Sequence, residues 1–160
     1  MIAFDTNILI YAEDPNDPRG RHRLAASLLT QLALVEAIAP VQVLGEFVNV
    51  CRKKRLSTLE LAAEKVANYA AAFETPQTEP SDIENAALLA KHHELQFFDA
   101  LIVSVATRAG ATVLLSEDMQ DGQQIAVDSL GTLTNDRLER PDGCPVGCDE
   151  HRGRSGGRLA

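Results

Sequence analysis

A chain of 160 residues with 45% hydrophobic residues has room for one domain with a sizeable core and hardly enough for two. Its formal net charge of -8 is the wrong sign for holding nucleic acid by general attraction. Such binding would need local basic patches or bound cations, and the acidic charge suits a basic partner protein equally well. Short apolar runs broken by charge argue against a membrane span, and three cysteines argue against a disulfide framework. The opening MIAFDTN has no basic leader and meets Asp5 at once, so the expected location is the cytoplasm.

In chain order, residues 1–4 read as a short buried strand with Asp5 just past its end, followed by a helical turn around residues 8–12. EDPNDPRG, residues 13–20, is a loop by its Pro, Asp and Gly content. Leu24, Leu28 and Leu32, with Ala25 and Leu29, have helical spacing over residues 21–34, and residues 35–39 form a second short strand. Pro40 suits the first turn of a helix over residues 41–54, because its missing amide donor is harmless there. Ser57 or Thr58 caps a helix running to about Phe73. Residues 74–80 are a connection, with room for an extended segment. Ser81 with Glu84 makes a capping box for a helix reaching about Glu94. Phe97 and Phe98 read as core residues before Asp99, the expected cap of a helix that ends ahead of Gly110. Residues 111–115 are the clearest buried strand, and residues 125–127 one more. Helices alternating with short apolar strands predict an α/β sandwich with a short, mostly parallel central sheet. The domain is expected over residues 1–133, with residues 134–160 a flexible tail of Gly, Pro and Arg without apolar periodicity.

Asp5 and Asp118 each follow the carboxyl end of a predicted core strand, the edge where open parallel sheets bind ligands. Asp99 opens a helix and Glu46 lies inside one. Each also has an ordinary structural reading: a turn or cap for Asp5, a solvent-facing helical acid for Glu46, a cap for Asp99, and loop acids for Asp118 and Asp121. If Asp5, Glu46, Asp99 and Asp118 converge, their carboxylates repel unless a cation neutralises them. Mg²⁺ and Mn²⁺ are hard ions that prefer such oxygen donors. Ions held this way lower the pKa of bound water and steady both oxygens of an in-line displacement at phosphorus, so no Cys, His or Lys nucleophile is required.

Three segments resemble the PIN-domain nucleases, and within them the VapC-type ribonuclease toxins of prokaryotic toxin–antitoxin pairs. IAFDTNILIYA is similar to the family's first motif, PVQVLGEFVNV to the helix that brings its Glu, and FFDALIVSVATRAGATVLLSEDMQDGQ to the third motif with the following strand and acidic loop. The resemblance spans about residues 1–130. It implies a metal site of Asp5, Glu46, Asp99 and Asp118, with Asp121 standing where such toxins often carry His or Asn. It also implies that Asn7 supports the first Asp and that Ser116 bonds a ligand carboxylate or a phosphate oxygen; turn stabilisation is the simpler alternative for both. The implied protein is a Mg²⁺- or Mn²⁺-dependent endoribonuclease, held in check by a cognate antitoxin and assembled as a homodimer. A PIN nuclease of RNA processing and an inactive RNA- or protein-binding PIN domain are the alternatives. The region SLGTLTNDRLERPDG departs from the family's usual short apolar close.

Two basic patches are candidate RNA contacts. RKKR, the run Arg52, Lys53, Lys54 and Arg55, ends the Glu46 helix, where opposing the helix dipole is an equally good explanation. Arg19 and Arg21, with Arg23, lie near the first loop and have acidic neighbours as alternative partners. His92 and His93 read as surface residues. Aromatics, 4% of the chain, are too few for a broad base-stacking platform. Cys144, Cys148 and His151 have poor spacing for a structural zinc site, and Cys51 reads as a buried helical thiol or a near-surface spectator.

Overall fold

The computed structural model describes residues 1–117, 124–127 and 131–136. Five strands form one sheet in the order β2-β1-β3-β5-β4, with β1 at Ile2–Phe4, β2 at Ala37–Ile38, β3 at Val113–Leu115, β4 at Gln124–Val127 and β5 at Gly131–Asp136. β1 pairs in parallel with β2 and β3, and β3 with β5; β4 alone runs antiparallel, against β5. The chain therefore leaves β1 for β2 on one side and later returns to β3 on the other. That reversal places a crevice beyond the carboxyl ends of β1 and β3, the usual ligand position in such sheets. The α/β architecture with a mostly parallel sheet is the one predicted.

Among the described residues, six helices accompany the sheet: α1 (Thr6–Glu13), α2 (His22–Leu32), α3 (Val41–Lys54), α4 (Leu59–Ala72), α5 (Pro80–His93) and α6 (Phe97–Arg108). α1 packs on α2 and α3, and α3 on α4, while α5 and α6 form a separate pair that reaches β4 and β5. Residues 100–107 of α6 are all buried; six are apolar, and the two hydroxyls among them are satisfied, Ser104 by Asp82 and Thr107 by the Val103 carbonyl. Phe4 from β1 meets Phe73 edge-on at 4.9 Å, which ties the sheet to the end of α4. Residues 74–76 run beside β2, with Ala39 N–H donating to Glu74 O at 2.9 Å and Val41 N–H to Pro76 O at 3.0 Å. This is the extended segment anticipated in the connection. Among the described residues, no helix is long and apolar enough to cross a membrane.

Three local expectations change. α5 is capped by Glu79 rather than Ser81, with Pro80 in its first turn. The reason is tertiary: Asp82 accepts the Glu79 N–H at 2.8 Å and is itself buried against Arg108 and Ser104, which fixes the start of the helix. α6 starts at Phe97 with Gln96 as its extended cap, so Asp99 lies inside the first turn, where its charge faces the positive end of the helix. Phe97 and Phe98 are 38% and 58% exposed and pack on each other, so they are surface residues and not core. At the far end, β5 carries ordered pairing past residue 133, to Asp136. The remaining tail, with Cys144, Cys148 and His151, lies outside the described residues.

Candidate active site

Asp5 ends β1 and caps α1, because its extended backbone (φ -91°, ψ 165°) lets the side chain reach the Thr6 amide at 2.6 Å. The neighbouring strand holds the same carboxylate from the other side. Phe4 is in register with Leu115, Asp5 N–H donates to Leu115 O at 3.0 Å, and the Ser116 hydroxyl donates to Asp5 Oδ2 at 3.0 Å. Asn7 also donates to Oδ2, at a longer 3.5 Å, which makes Ser116 the stronger of these two supports. Asp5 and Ser116 are 4% and 1% exposed. A buried carboxylate oriented by an amide and a hydroxyl is prepared to present its remaining lone pairs in a fixed direction.

Glu46 reaches the same place from α3. Its Oε2 accepts the Thr6 hydroxyl at 2.9 Å. The Val43 carbonyl is a competing acceptor for that proton at 3.5 Å, and the shorter, charge-assisted bond wins. Thr6 therefore links both carboxylates, one through its amide and the other through its hydroxyl. The sequence reading missed this residue, although it stands between Asp5 and Asn7 in the DTN motif. Glu46 is half-buried and lines a cleft of about 490 Å³ with Val41, Gln42, Gly45, Gln77 and Thr78. Two glutamines and a threonine on its wall offer both hydrogen-bond donors and acceptors to a substrate.

Asp99 is half-buried in the first turn of α6. Asp118 and Asp121 lie outside the described residues. Among the described residues, no group of three or more His, Cys, Asp or Glu side chains is gathered as a metal site. Of the three expected donors that are described, Asp5 and Glu46 are brought together at Thr6, and Asp99 is not gathered with them into such a group. The donor chemistry of Asp5 and Glu46, two carboxylates with hydroxyl and amide support, fits a hard divalent cation.

The basic candidates divide. Arg19, Arg52, Lys53, Lys54 and Arg55 are exposed. Arg21 turns inward: its Nε and Nη2 bond Asp17, its Nη1 donates to Glu117 at 2.8 Å, and its guanidinium lies 3.7 Å over the Tyr11 ring. With its side chain only 11% exposed, Arg21 is engaged by these intramolecular partners. Glu117, the second site-side residue that sequence reasoning passed over, also accepts the Tyr11 hydroxyl at 2.5 Å. Cys51 is buried, the first of its two readings, and desolvation pushes its thiol above its ordinary pKa, which makes it a poor nucleophile at neutral pH.

Comparison with known proteins bears on the family and the fold. The PIN domain family profile matches residues 2–122. Ribonuclease VapC7 of Mycobacterium tuberculosis is 29% identical over 144 residues, covering 84% of this chain and 97% of that protein. Among solved structures, Mycobacterium tuberculosis VapC20, described as a sarcin–ricin loop cleaving toxin, superposes with a TM-score of 0.56 at 20% identity, covering 71% of this chain and 87% of its own. VapBC2 from Rickettsia felis, bound to a DNA fragment from its promoter, gives 0.62 at 19% identity, covering 87% and 100%. At such identities the structural likeness speaks for the fold.

Proposed function

The chain belongs to the PIN-domain family, and on that premise we propose that it is a divalent-metal-dependent endoribonuclease acting as the toxin of a toxin–antitoxin pair. The observation that carries this reading is the Thr6 bridge, which links Asp5 through the backbone amide and Glu46 through the hydroxyl, two carboxylates 41 positions apart in the numbering. Asp5 and Glu46 would hold Mg²⁺ or Mn²⁺, with Asp99, Asp118 and Asp121 as the further expected donors. When bound, the ion supplies a water of lowered pKa and offsets the charge that develops on the phosphoryl oxygens. The chain's own residues do the positioning. Ser116 and Asn7 orient Asp5, Thr6 orients Glu46, and the Gln42–Gln77–Thr78 wall receives the flanking nucleotide.

The similarity to ribonuclease VapC7 and to the VapBC2 pair supports RNA as substrate and an antitoxin as partner. An acidic cleft suits blockage by an inserted Arg, whose planar fork matches a carboxylate. A homodimer and a cytoplasmic site of action complete the proposal. The test is incubation of the purified protein with total RNA and Mg²⁺ or Mn²⁺ beside Asp5→Asn and Asp99→Asn variants, with the new ends mapped by sequencing. Metal-dependent ends made by the wild type and lost in both variants are expected. Equal cleavage by all three proteins defeats the mechanism.

A further inference from the structure

We infer that the cleft beside Glu46 is a nucleobase subsite. It takes the base of a nucleotide flanking the scissile phosphate, reads that base's edge through the Gln42 and Gln77 amides, and is kept open by Gly45. The inference rests on the proposed function and deepens it, because it gives the nuclease a base preference at its cut. Four lining residues, Val41, Gln42, Gly45 and Glu46, share one face of α3 by their one- and four-residue spacing. Gln77 and Thr78 complete the lining from the connection that leads into α5. That connection is tied down: Val41 N–H donates to Pro76 O at 3.0 Å, Arg108 Nη2 donates to Gln77 O at 2.6 Å, and Glu79 N–H donates to Asp82 at 2.8 Å. The walls are therefore preformed. The volume of about 490 Å³ falls within the usual size of small-ligand sites, roughly 300–1,000 Å³.

Gly45 is the observation that points to a ligand. It lies inside α3, where glycine is a poor helix former and alanine a good one. A Cβ built on it meets no heavy atom of the surrounding protein within 4 Å, so no packing among the described residues calls for a glycine here. What a methyl group would enter is the cleft, which Gly45 lines next to Glu46. Glycine in such a place lets a ligand approach the backbone closely. The polar lining then selects the ligand. It holds two amides and a hydroxyl but no Lys or Arg, so it suits a neutral base better than a phosphate. Each amide offers both a donor and an acceptor, which is the pattern that matches a base edge. Val41, 43% exposed in the first turn of α3, adds an apolar surface for the face of the base. Glu46 is both a wall of the cleft and the partner of Thr6, so a base seated here belongs to a nucleotide adjacent to the cut.

The test uses the full chain, total RNA and Mg²⁺, with base frequencies counted on both sides of each new end. Short RNAs carrying the preferred and a disfavoured base then give KM and kcat, and thermal melting reports on folding. The wild type should prefer one base at one flanking position. Gln42→Ala and Gln77→Ala should still cut, with that preference reduced about 5-fold or more, the discrimination expected from a paired amide. Gly45→Ala should melt about 1–4 °C higher, because it removes a helical glycine. The same variant should raise KM about 5-fold or more with kcat little changed, the mark of lost substrate binding. A more stable protein that binds its substrate worse is the result that a purely structural glycine would not give. Metal-dependent cleavage with no flanking preference, or with the preference intact in both glutamine variants, overturns the subsite and leaves the proposed function standing. So does Gly45→Ala with a wild-type KM or a lowered Tm. A wild type that cuts no RNA with Mg²⁺ or Mn²⁺ overturns both.

Discussion

Thr6→Val is the most direct probe of the site, because it removes one hydroxyl at nearly constant shape. The bond it deletes, to Glu46, is 2.9 Å long and has a charged acceptor. Such bonds contribute about 1.5–3 kcal/mol when fully buried. Glu46 is only half-buried, so water recovers part of that and the net stability loss should be about 1 kcal/mol. For a chain of this size that lowers Tm by roughly 2–4 °C, leaving the protein folded at assay temperature. The functional loss should be far larger. Glu46 is no longer aimed toward Asp5, and removal of a group that orients a metal ligand typically costs about 10–100-fold in affinity or activity. The assay is cleavage of total RNA across a Mg²⁺ titration, run beside thermal melting. Thr6→Ser should restore both readings, because it returns the hydroxyl. A Thr6→Val protein that cleaves at the wild-type rate with the wild-type Mg²⁺ dependence would refute the idea that Thr6 couples the two carboxylates.

Three further outcomes concern charged groups. Arg108→Met strands Asp82, which is fully buried, so stability should fall by roughly 3 kcal/mol, seen as a Tm loss of roughly 6–12 °C, with part recovered in Asp82→Asn/Arg108→Met; no recovery would show that the cost lies in packing. Burial by itself pushes the Asp82 pKa up, but hydrogen bonds from Arg108 and the Glu79 amide outweigh it and hold the value below the ordinary 3.8. The pair's contribution is therefore fully present above pH 3.8 and is lost as pH falls through the lower folded-state value, so the wild-type and Arg108→Met melting curves should converge in acid. Neutralising Arg52, Lys53, Lys54 and Arg55 together, in an Asp5→Asn background that binds without cleaving, should weaken RNA binding and flatten its salt dependence by about 0.7 in log–log slope for each phosphate the run no longer neutralises. An unchanged slope would place the RNA elsewhere.

The parts of the fold that were legible in the sequence are those where one local rule acts without competition. α3 occupies residues 41–54 as read, because Pro40 fixes its start and a basic run meets its carboxyl end. β1 and β3 are short apolar runs, and Asp5 falls past β1 as expected. Where tertiary forces outvote local ones, the sequence misleads. Ser81 and Glu84 make a plausible capping box, but Asp82 is claimed by Arg108 from α6 and carries the helix start with it. Phe97 and Phe98 look like core by composition, yet the buried face of α6 begins at Ala100. Arg21 looks like part of a surface patch, and nothing local reveals that Glu117, 96 positions away, turns it inward. Thr6 is invisible for a related reason: a threonine beside an aspartate acquires its role only when α3 brings Glu46 within 2.9 Å of it.

Charge explains how these pieces divide their work. Asp5 and Glu46 meet at Thr6 in a chain of net charge -8, and on the proposed function an RNA phosphate would add further negative charge at the same place. Arg21 is already committed to Asp17 and Glu117. The exposed basic run begins six residues beyond Glu46 on α3, about 9 Å along the helix axis at 1.5 Å per residue, one or two nucleotides' reach from the carboxylates. On the proposed function, this separates two tasks. Divalent ions at Asp5 and Glu46 offset charge at the scissile phosphate, while the basic end of α3 holds the neighbouring backbone. Binding should then follow monovalent salt and cleavage should follow divalent metal, because the two depend on different residues at opposite ends of one helix segment.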